Sequence, residues 1–193
     1  MSNTEPEPRL APLRPDELGE DAMQVIAGVL QAQGSAARRD VPEFIATMLR
    51  HPTLFQRQAD LSAALFAGAL PFRLTELVLL RTAWLCQGGY VWGHHSQLAQ
   101  KTCGFSKDDI ERIIAGSSAS GWDELDRAVL SAVEELQETS TISDETWEVL
   151  SRHLDDRQLI ELPILVGQMH GVIYTQNALR ARLMPGSLGL AAR

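Results

Sequence analysis

Apolar residues recur at the spacing of an α-helix along almost the whole chain, and the alternating runs typical of β-strands are scarce. This periodicity predicts an all-α chain of several helices. Ser106 and Ser143 stand at two predicted helix starts with acidic residues in the next turn, as expected of N-capping residues. Pro163 lies inside the last predicted helix, where we expect a kink or a restart. The predicted helices span residues 16–32, 41–50, 52–69, 73–86, 90–102, 106–115, 122–138, 143–154 and 156–183.

The chain length of 193 residues suits one domain with a substantial core. Proline is dense among the first 15 residues, and a Pro-Gly pair precedes a weakly patterned end. We therefore expect a flexible N-terminal segment over residues 1–15, a single all-α domain over 16–184 and a C-terminal tail over 185–193. Both ends are expected to be loosely held.

The charge distribution restricts the partners of the chain. Residues 106–161 contain 15 acidic and 5 basic side chains, a local charge of −10 within a formal net charge of −8. This half would repel phosphate backbones, so we expect no nucleic-acid partner. The first residues lack the apolar segment of a signal peptide, and no apolar run approaches the about 18 residues of a membrane span. The sequence thus predicts a soluble, cytoplasmic protein without a membrane partner.

Cysteine usage points away from a disulfide scaffold or a zinc site. The two cysteines, Cys86 and Cys103, are 17 positions apart, which matches neither pattern. We interpret both as structural thiols and predict no metal ligand set.

The predicted helix 73–86 is apolar on nearly every side, so we expect it to be central and buried. Glu76 is the exception in its first turn. A buried carboxylate must be paired, hydrogen-bonded or protonated, which makes Glu76 a candidate functional group. Alternatively, Glu76 interacts with the positive end of the helix and reaches water. The sequence leaves both interpretations open.

Residues 86–95 read CQGGYVWGHH and lead into the next predicted helix. On that helix His95 shares an apolar face with Val91 and Leu98, whereas His94 is rotated away by about 100°. Adjacent residues of one helix cannot easily bind one metal ion. His95 is therefore either a hydrogen-bonded core residue or a proton-transfer group, for which an imidazole is well suited.

The stretches from residue 70 to 113 and from 122 to 179 together resemble the carboxymuconolactone decarboxylase family, which includes alkylhydroperoxidase D. The resemblance covers residues from about 40 to 183. The peroxidase branch of this family carries the pattern E-x11-C-x2-C-x3-H. On this chain the glutamate of the pattern is Glu76 and the histidine is His95, whereas Gly88 and Val91 replace the two cysteines. The resemblance therefore identifies a member that lacks the dithiol, and dithiol peroxidase activity is not expected.

Longer relatives without the dithiol carry E-Y-E-W before the histidine, where this chain has Gly-Tyr-Val-Trp at 89–92. Tyr90, Trp92, His94 and His95 match this pattern, but both glutamates are absent. The resemblance implies an alkylhydroperoxidase D-like bundle that forms homo-oligomers, with a pocket near a subunit interface.

In the decarboxylase branch the substrate is a small carboxylated lactone, and no metal or organic cofactor is required. By that resemblance, His95 would be the proton donor of a lyase-type reaction, with Glu76 orienting it. Tyr90, Trp92 and His94 would contact the substrate, Tyr90 or His94 donating a hydrogen bond.

His170 and Tyr174 repeat at helical spacing and share a face with Asn177, so they are further candidates for lining the pocket. A polar seam between helices is the alternative interpretation of this face. Two other functions stay open for the whole chain. One is a non-catalytic oligomer that binds a hydrophobic ligand, and the other is a peroxide reductase that uses Cys86 or Cys103.

Overall fold

The computed structural model describes residues 7–32 and 41–193 of the chain. No β-strand occurs within these ranges, and the all-α prediction is confirmed. The helices are α1 Glu20–Ala32, α2 Glu43–Met48, α3 Pro52–Phe66, α4 Phe72–Leu85, α5 Gly89–Thr102, α6 Lys107–Ala115, α7 Glu124–Thr139, α8 Asp144–His153 and α9 Asp156–Leu179.

Two predicted serine caps are present at helix starts, and the predicted effect of Pro163 on the last helix is not. Ser106 accepts a hydrogen bond from the backbone N–H of Asp109 at the start of α6, and Ser143 accepts one from Thr146 at the start of α8. Pro163 does not divide the last helix, which runs from Asp156 to Leu179 without a restart. Pro163 has no backbone N–H, so the helix loses one hydrogen bond there. Side chains before and after it in α9 are buried in the core, and this packing keeps the helix continuous.

Helix α4 is the centre of the bundle, as its apolar sequence predicts. It packs against α5, α6, α7 and α9. Its side chains are buried from Leu74 to Ala83 without interruption. The helix begins after Pro71 and ends at Cys86, where Gln87 adopts a left-handed conformation with φ of 53° and turns the chain into α5. Helices α4 and α5 therefore form an antiparallel pair in the middle of the core.

The C-terminal residues are packed, contrary to the expectation of a loose tail over 185–193. Ala192 is 1% exposed, and its carbonyl accepts a hydrogen bond of 3.0 Å from the indole N–H of Trp92. Gly93, next to Trp92 on α5, provides the space for the backbone at Gly189. The tail thus forms part of the core beside α5, a long-range contact that local composition does not reveal.

A second, smaller apolar cluster joins α1 to α3, with Val25, Ile26, Leu49 and Phe55 at its centre. Among the described helices, none combines the length and the apolar character needed to cross a bilayer.

Candidate active site

Glu76, the fifth residue of α4, is fully buried at 0% exposure. The carboxylate does not reach water, so the alternative of a solvent-exposed Glu76 at the start of the helix is wrong. A buried carboxylate requires hydrogen-bond donors or a positive partner. The side chain that supplies this interaction is His95 on the neighbouring helix α5.

The imidazole of His95 lies against the carboxylate of Glu76. Its Nδ1 atom is 3.1 Å from both Oε1 and Oε2. An ionised carboxylate only accepts hydrogen bonds, so when Glu76 is ionised Nδ1 is the donor of this bond. This leaves Nε2 as the nitrogen that can accept or deliver a proton. The side chain of His95 is 17% exposed, so the imidazole lies between the buried carboxyl group of Glu76 and the protein surface.

Two further aromatic rings contact the imidazole. The ring of Phe66, at the end of α3, is nearly parallel to it, with an interplanar angle of 17° and a centroid distance of 6.1 Å. The ring of His94 approaches edge-on at 5.0 Å. Phe66 was not predicted from the sequence, because its only signal is an aromatic residue at a helix end. The structure thus adds an apolar wall to the predicted acid and base.

His94 is exposed on α5, as the predicted rotation from His95 requires. Partial burial of its ring lowers the pKa of His94, the charge of His95 lowers it further, and the carboxylate of Glu76 opposes both effects. His94 is therefore held towards its neutral form, in which one ring nitrogen donates and the other accepts.

Tyr90 and Trp92 have different environments on α5. Tyr90 is half-buried and packs against Phe44 of α2 at 5.6 Å, and burial raises the pKa of its phenol. Trp92 is fully buried, contacts the ring of Trp84 and donates its N–H to Ala192. The polar atom of Trp92 is therefore occupied by the C-terminal tail, which gives this side chain a structural role.

The polar face predicted on α9 contacts the ends of α4 and α7. His170 donates from Nδ1 to the carbonyl of Val166 at 2.8 Å, and its Nε2 contacts the amide of Gln137. Tyr174 lies edge-on to His170 at 5.4 Å. Asn177 donates to the carbonyl of Cys86 at 2.9 Å. These contacts match the alternative interpretation, a polar seam between helices.

Both cysteines are free thiols. Burial raises the pKa of Cys86, and Sγ of Cys86 is 3.5 Å from the side-chain oxygen of Gln137. Burial also raises the pKa of Cys103; the Thr102 hydroxyl and the charge of Arg73 lower it, and the charge of Glu76 raises it. A raised pKa favours the thiol over the reactive thiolate.

The first cysteine position of the family pattern is closed by packing. A Cβ atom at Gly88 would lie 2.8 Å from Cγ2 of Ile173, which is fully buried on α9. Val91, at the second position, is also buried. Within residues 7–32 and 41–193, no three or more His, Cys, Asp or Glu side chains form a group that could hold a metal ion. The side chains that come together beside these positions are the carboxylate of Glu76 and the imidazole of His95.

Known proteins share this fold and the region of the pair. The model of the carboxymuconolactone decarboxylase family matches residues 52–135, from α3 into α7, which include Glu76 and His95. No protein of curated function matches the chain.

Among solved structures, an uncharacterized peroxidase-related protein from Ralstonia eutropha with an alkylhydroperoxidase AhpD core has a TM-score of 0.75 at 18% identity, covering 93% of each chain. A peroxidase-related protein from Silicibacter has a TM-score of 0.74 at 15% identity, covering 94% of this chain and 95% of that one.

The debrominase Bmp8 is also similar. A cysteine-to-alanine variant of it in complex with 2,3,4-tribromopyrrole has a TM-score of 0.73 at 17% identity, covering 92% of each chain. At these identities the solved structures establish the fold and leave the reaction open. Together with the family match over residues 52–135, around the buried acid–base pair, they show that this chain is similar to the carboxymuconolactone decarboxylase family and has an alkylhydroperoxidase D-like fold.

Proposed function

We propose that the chain is an acid–base enzyme that acts on a small molecule, with His95 transferring the proton and Glu76 as its buried partner. The observation that carries this proposal is the contact of 3.1 Å from Nδ1 of His95 to both oxygens of a carboxylate that is 0% exposed. A buried carboxyl group fixes the orientation of the imidazole, while Nε2 stays available.

The reaction type is a lyase reaction, namely decarboxylation of a carboxylated lactone or a related ring. The bond from the ring carbon to the carboxylate breaks, carbon dioxide leaves, and the electron pair remains as an enolate. The protonated imidazole then delivers the proton from Nε2 to the carbanionic carbon, and water returns a proton to His95. Nδ1 stays hydrogen-bonded to Glu76 throughout, so the ring keeps its orientation.

The apolar neighbour of the imidazole favours this reaction. Phe66 places an aromatic face beside His95, and an apolar environment disfavours a substrate carboxylate relative to the dispersed charge of an enolate. The complex of the debrominase Bmp8 with 2,3,4-tribromopyrrole indicates that a related fold binds a small planar ring. We therefore infer a small, unsaturated ring as the substrate class, without a metal or organic cofactor.

The other candidate residues have secondary roles in this proposal. His94, exposed beside His95, is the best placed to donate a hydrogen bond to the enolate oxygen. Tyr90 is the second candidate donor. Trp92, His170 and Tyr174 are assigned no contact with the substrate, since their polar atoms or rings are engaged in the interactions described above.

The proposal is tested by incubating the purified protein with carboxylated lactones and carboxylated aromatic acids and measuring the release of carbon dioxide. His95→Gln removes the transferable proton, and we expect a rate about 10²- to 10⁴-fold lower. Glu76→Gln keeps the shape of the side chain but removes the charge, and should lower kcat as well. His153→Gln, at an exposed histidine of α8, is the matched control and should retain the full rate. Turnover that His95→Gln leaves unchanged contradicts the proposal.

A non-catalytic protein that binds a hydrophobic ligand is the second candidate. The replacement of the two thiols by Gly88 and Val91 favours it, since apolar packing has taken the place of reactive groups. The same set of ring compounds separates the two functions. Binding without turnover, with equal affinity in the wild type and His95→Gln, identifies a binding protein.

Peroxide reduction is the least supported function, because burial raises the pKa of both Cys86 and Cys103. The double variant Cys86→Ser/Cys103→Ser tests it directly. Loss of peroxide consumption in this variant would establish a cysteine-dependent reductase. Peroxide consumption that survives both substitutions, or is absent from the wild type, eliminates it.

We also infer that the chain forms a homo-oligomer through the outer face of α9. Ile160, Ile164 and Tyr174 are exposed there at helical spacing, and open space lies above Gly167 and Gly171. Exposed apolar stripes of this kind are typical of protein interfaces. Light scattering during gel filtration should give a mass that is a multiple of 21.3 kDa, and Ile164→Glu should lower it. A monomer at all concentrations contradicts this inference.

A further inference from the structure

The carboxylate of Glu161, in the second turn of α9, binds the loop that joins α3 to α4. It accepts hydrogen bonds from the backbone N–H groups of Ala69 at 2.6 Å and Leu70 at 3.1 Å. Gln158, one turn earlier, donates from its side-chain amide to the carbonyl of Ala69 at 3.0 Å. Two side chains of α9 therefore hold three backbone groups of this loop.

Gly68 shows how closely the carboxylate approaches the loop. A Cβ atom at this position would collide with both oxygens and the carboxyl carbon of Glu161. The backbone of Gly68 is not in the left-handed region, so its conformation alone does not require glycine. A larger residue at this position would displace the carboxylate from the loop. The carboxylate and the loop backbone therefore fit one another at this position.

The loop connects the two groups that contact His95. Helix α3 ends at Phe66, whose ring is nearly parallel to the imidazole, and α4 begins at Phe72 and carries Glu76. The intervening residues are 67–71. Glu161 contacts the backbone of this loop, so any effect it has on the imidazole passes through the loop.

Helix α3 has few other contacts near its end, where Gln168 of α9 donates a hydrogen bond to the hydroxyl of Ser62 and Leu65 enters the core. Among its 15 residues only Phe55 and Leu65 are buried, and Phe66 is 36% exposed. Charge-assisted hydrogen bonds to backbone N–H groups are stronger than neutral ones. Elements with few buried contacts open locally at low free energy. Releasing the loop should therefore let Phe66 move away from the imidazole.

We propose that Glu161 is a positioning residue of the site. By holding the loop after α3, it keeps the ring of Phe66 against His95 and limits the access of water and reagents to the imidazole. This proposal rests on the proposed function, in which the imidazole transfers protons beside an apolar wall.

The test measures the accessibility of His95 without any substrate. Wild type and variants are treated with diethyl pyrocarbonate at neutral pH, and the carbethoxylation rate of each histidine is followed by tandem mass spectrometry. Glu161→Gln keeps the length of the side chain but turns an amide N–H₂ towards one of the two backbone donors. Phe66→Leu removes the ring directly. Glu145→Gln, at an exposed carboxylate of α8, is the matched control, and His153 is the internal reference.

We expect His95 to react about fivefold faster in Glu161→Gln, which corresponds to ~1 kcal/mol. Phe66→Leu should react at least as fast, and the double variant should match Phe66→Leu alone, since both substitutions remove the same wall. The control and the reference histidine should not change. Gln158→Ala, which removes one of the three loop bonds, replaces Glu161→Gln if that variant does not fold.

Two results overturn the proposal. One is an unchanged rate for His95 in Glu161→Gln while Phe66→Leu reacts faster. The other is a double variant whose acceleration is the product of the two single effects, because Glu161 would then act independently of Phe66. A chain that turns over no ring compound would contradict the proposed function, whereas the labelling rates would still show whether Glu161 positions the ring.

Discussion

Replacing Gly93 by alanine should destabilise the protein, although alanine normally favours a helix. Gly93 lies inside α5, where alanine is ordinarily preferred by about 1 kcal/mol. At this position a Cβ atom would collide with the hydroxyl of Ser187 and lie 3.0 Å from the backbone nitrogen of Gly189 and 3.1 Å from its Cα. The hydroxyl can rotate away, but the backbone of the tail must move.

The magnitude follows from these opposing effects. Overpacking of one methyl group costs about 1–3 kcal/mol, and the helix preference returns about 1 kcal/mol. Displacement of the tail would also weaken the bond from the buried indole of Trp92 to Ala192, and an unsatisfied buried donor costs about 1–3 kcal/mol. Because the indole bond is weakened and not lost, only part of that last cost applies, and we expect the free energy of unfolding to fall by about 1–3 kcal/mol.

The assay is urea denaturation followed by tryptophan fluorescence, because Trp84 and Trp92 both lie beside the tail. Gly28→Ala, within α1 and with open space around its Cα, is the matched control and should raise stability by about 0.5–1 kcal/mol. A Gly93→Ala variant that is stabilised as much as Gly28→Ala, with unchanged emission, would refute the argument that the tail is packed against α5.

Two other predictions concern buried or half-buried acids. The pKa of Glu135 is lowered, because hydrogen bonds from Thr146 and Ser143 outweigh the opposing effect of burial, so its stabilisation is present above the unfolded pKa and is lost as the pH falls through the folded one. Glu135→Gln should lower stability by about 1 kcal/mol at pH 7, and urea titrations at pH 3 should show a much smaller difference. Arg73→Ala should cost about 2 kcal/mol, because it leaves the buried carboxylate of Asp126 without two bonds of 2.6 Å. Chemical denaturation of Arg73→Ala/Asp126→Asn should show partial recovery, and equal stability of the single variant and the wild type would contradict this reasoning.

Much of the fold could be predicted from the sequence because it depends on local signals. The spacing of apolar residues predicted α4 and α5, and two serine caps marked the starts of α6 and α8. The spacing also placed His95 on the inward face of α5. It could not decide whether Glu76 meets water, because this depends on the helices that cover the first turns of α4.

Contacts between distant residues explain what the sequence did not predict. The tail packs on α5 through residues 96 positions apart, Gly93 and Gly189, and neither carries a side chain that signals the contact. The contact of Phe66 with His95 likewise joins residues 29 positions apart, and hydrophobic spacing within α3 gives no indication of it.

The packing around Gly88 leaves no room for the first thiol of the family pattern. Ile173 occupies the space that any side chain at position 88 would need, with three of its carbon atoms 2.8–3.3 Å from a Cβ atom there. A cysteine at this position would have to displace a β-branched side chain of the core, at a cost of about 1–3 kcal/mol. The contact between Glu76 and His95 needs neither thiol, and it is intact at 3.1 Å. Apolar packing thus fills the first thiol position of the family pattern, while its glutamate and histidine remain in contact, which is the arrangement that the proposed proton transfer needs.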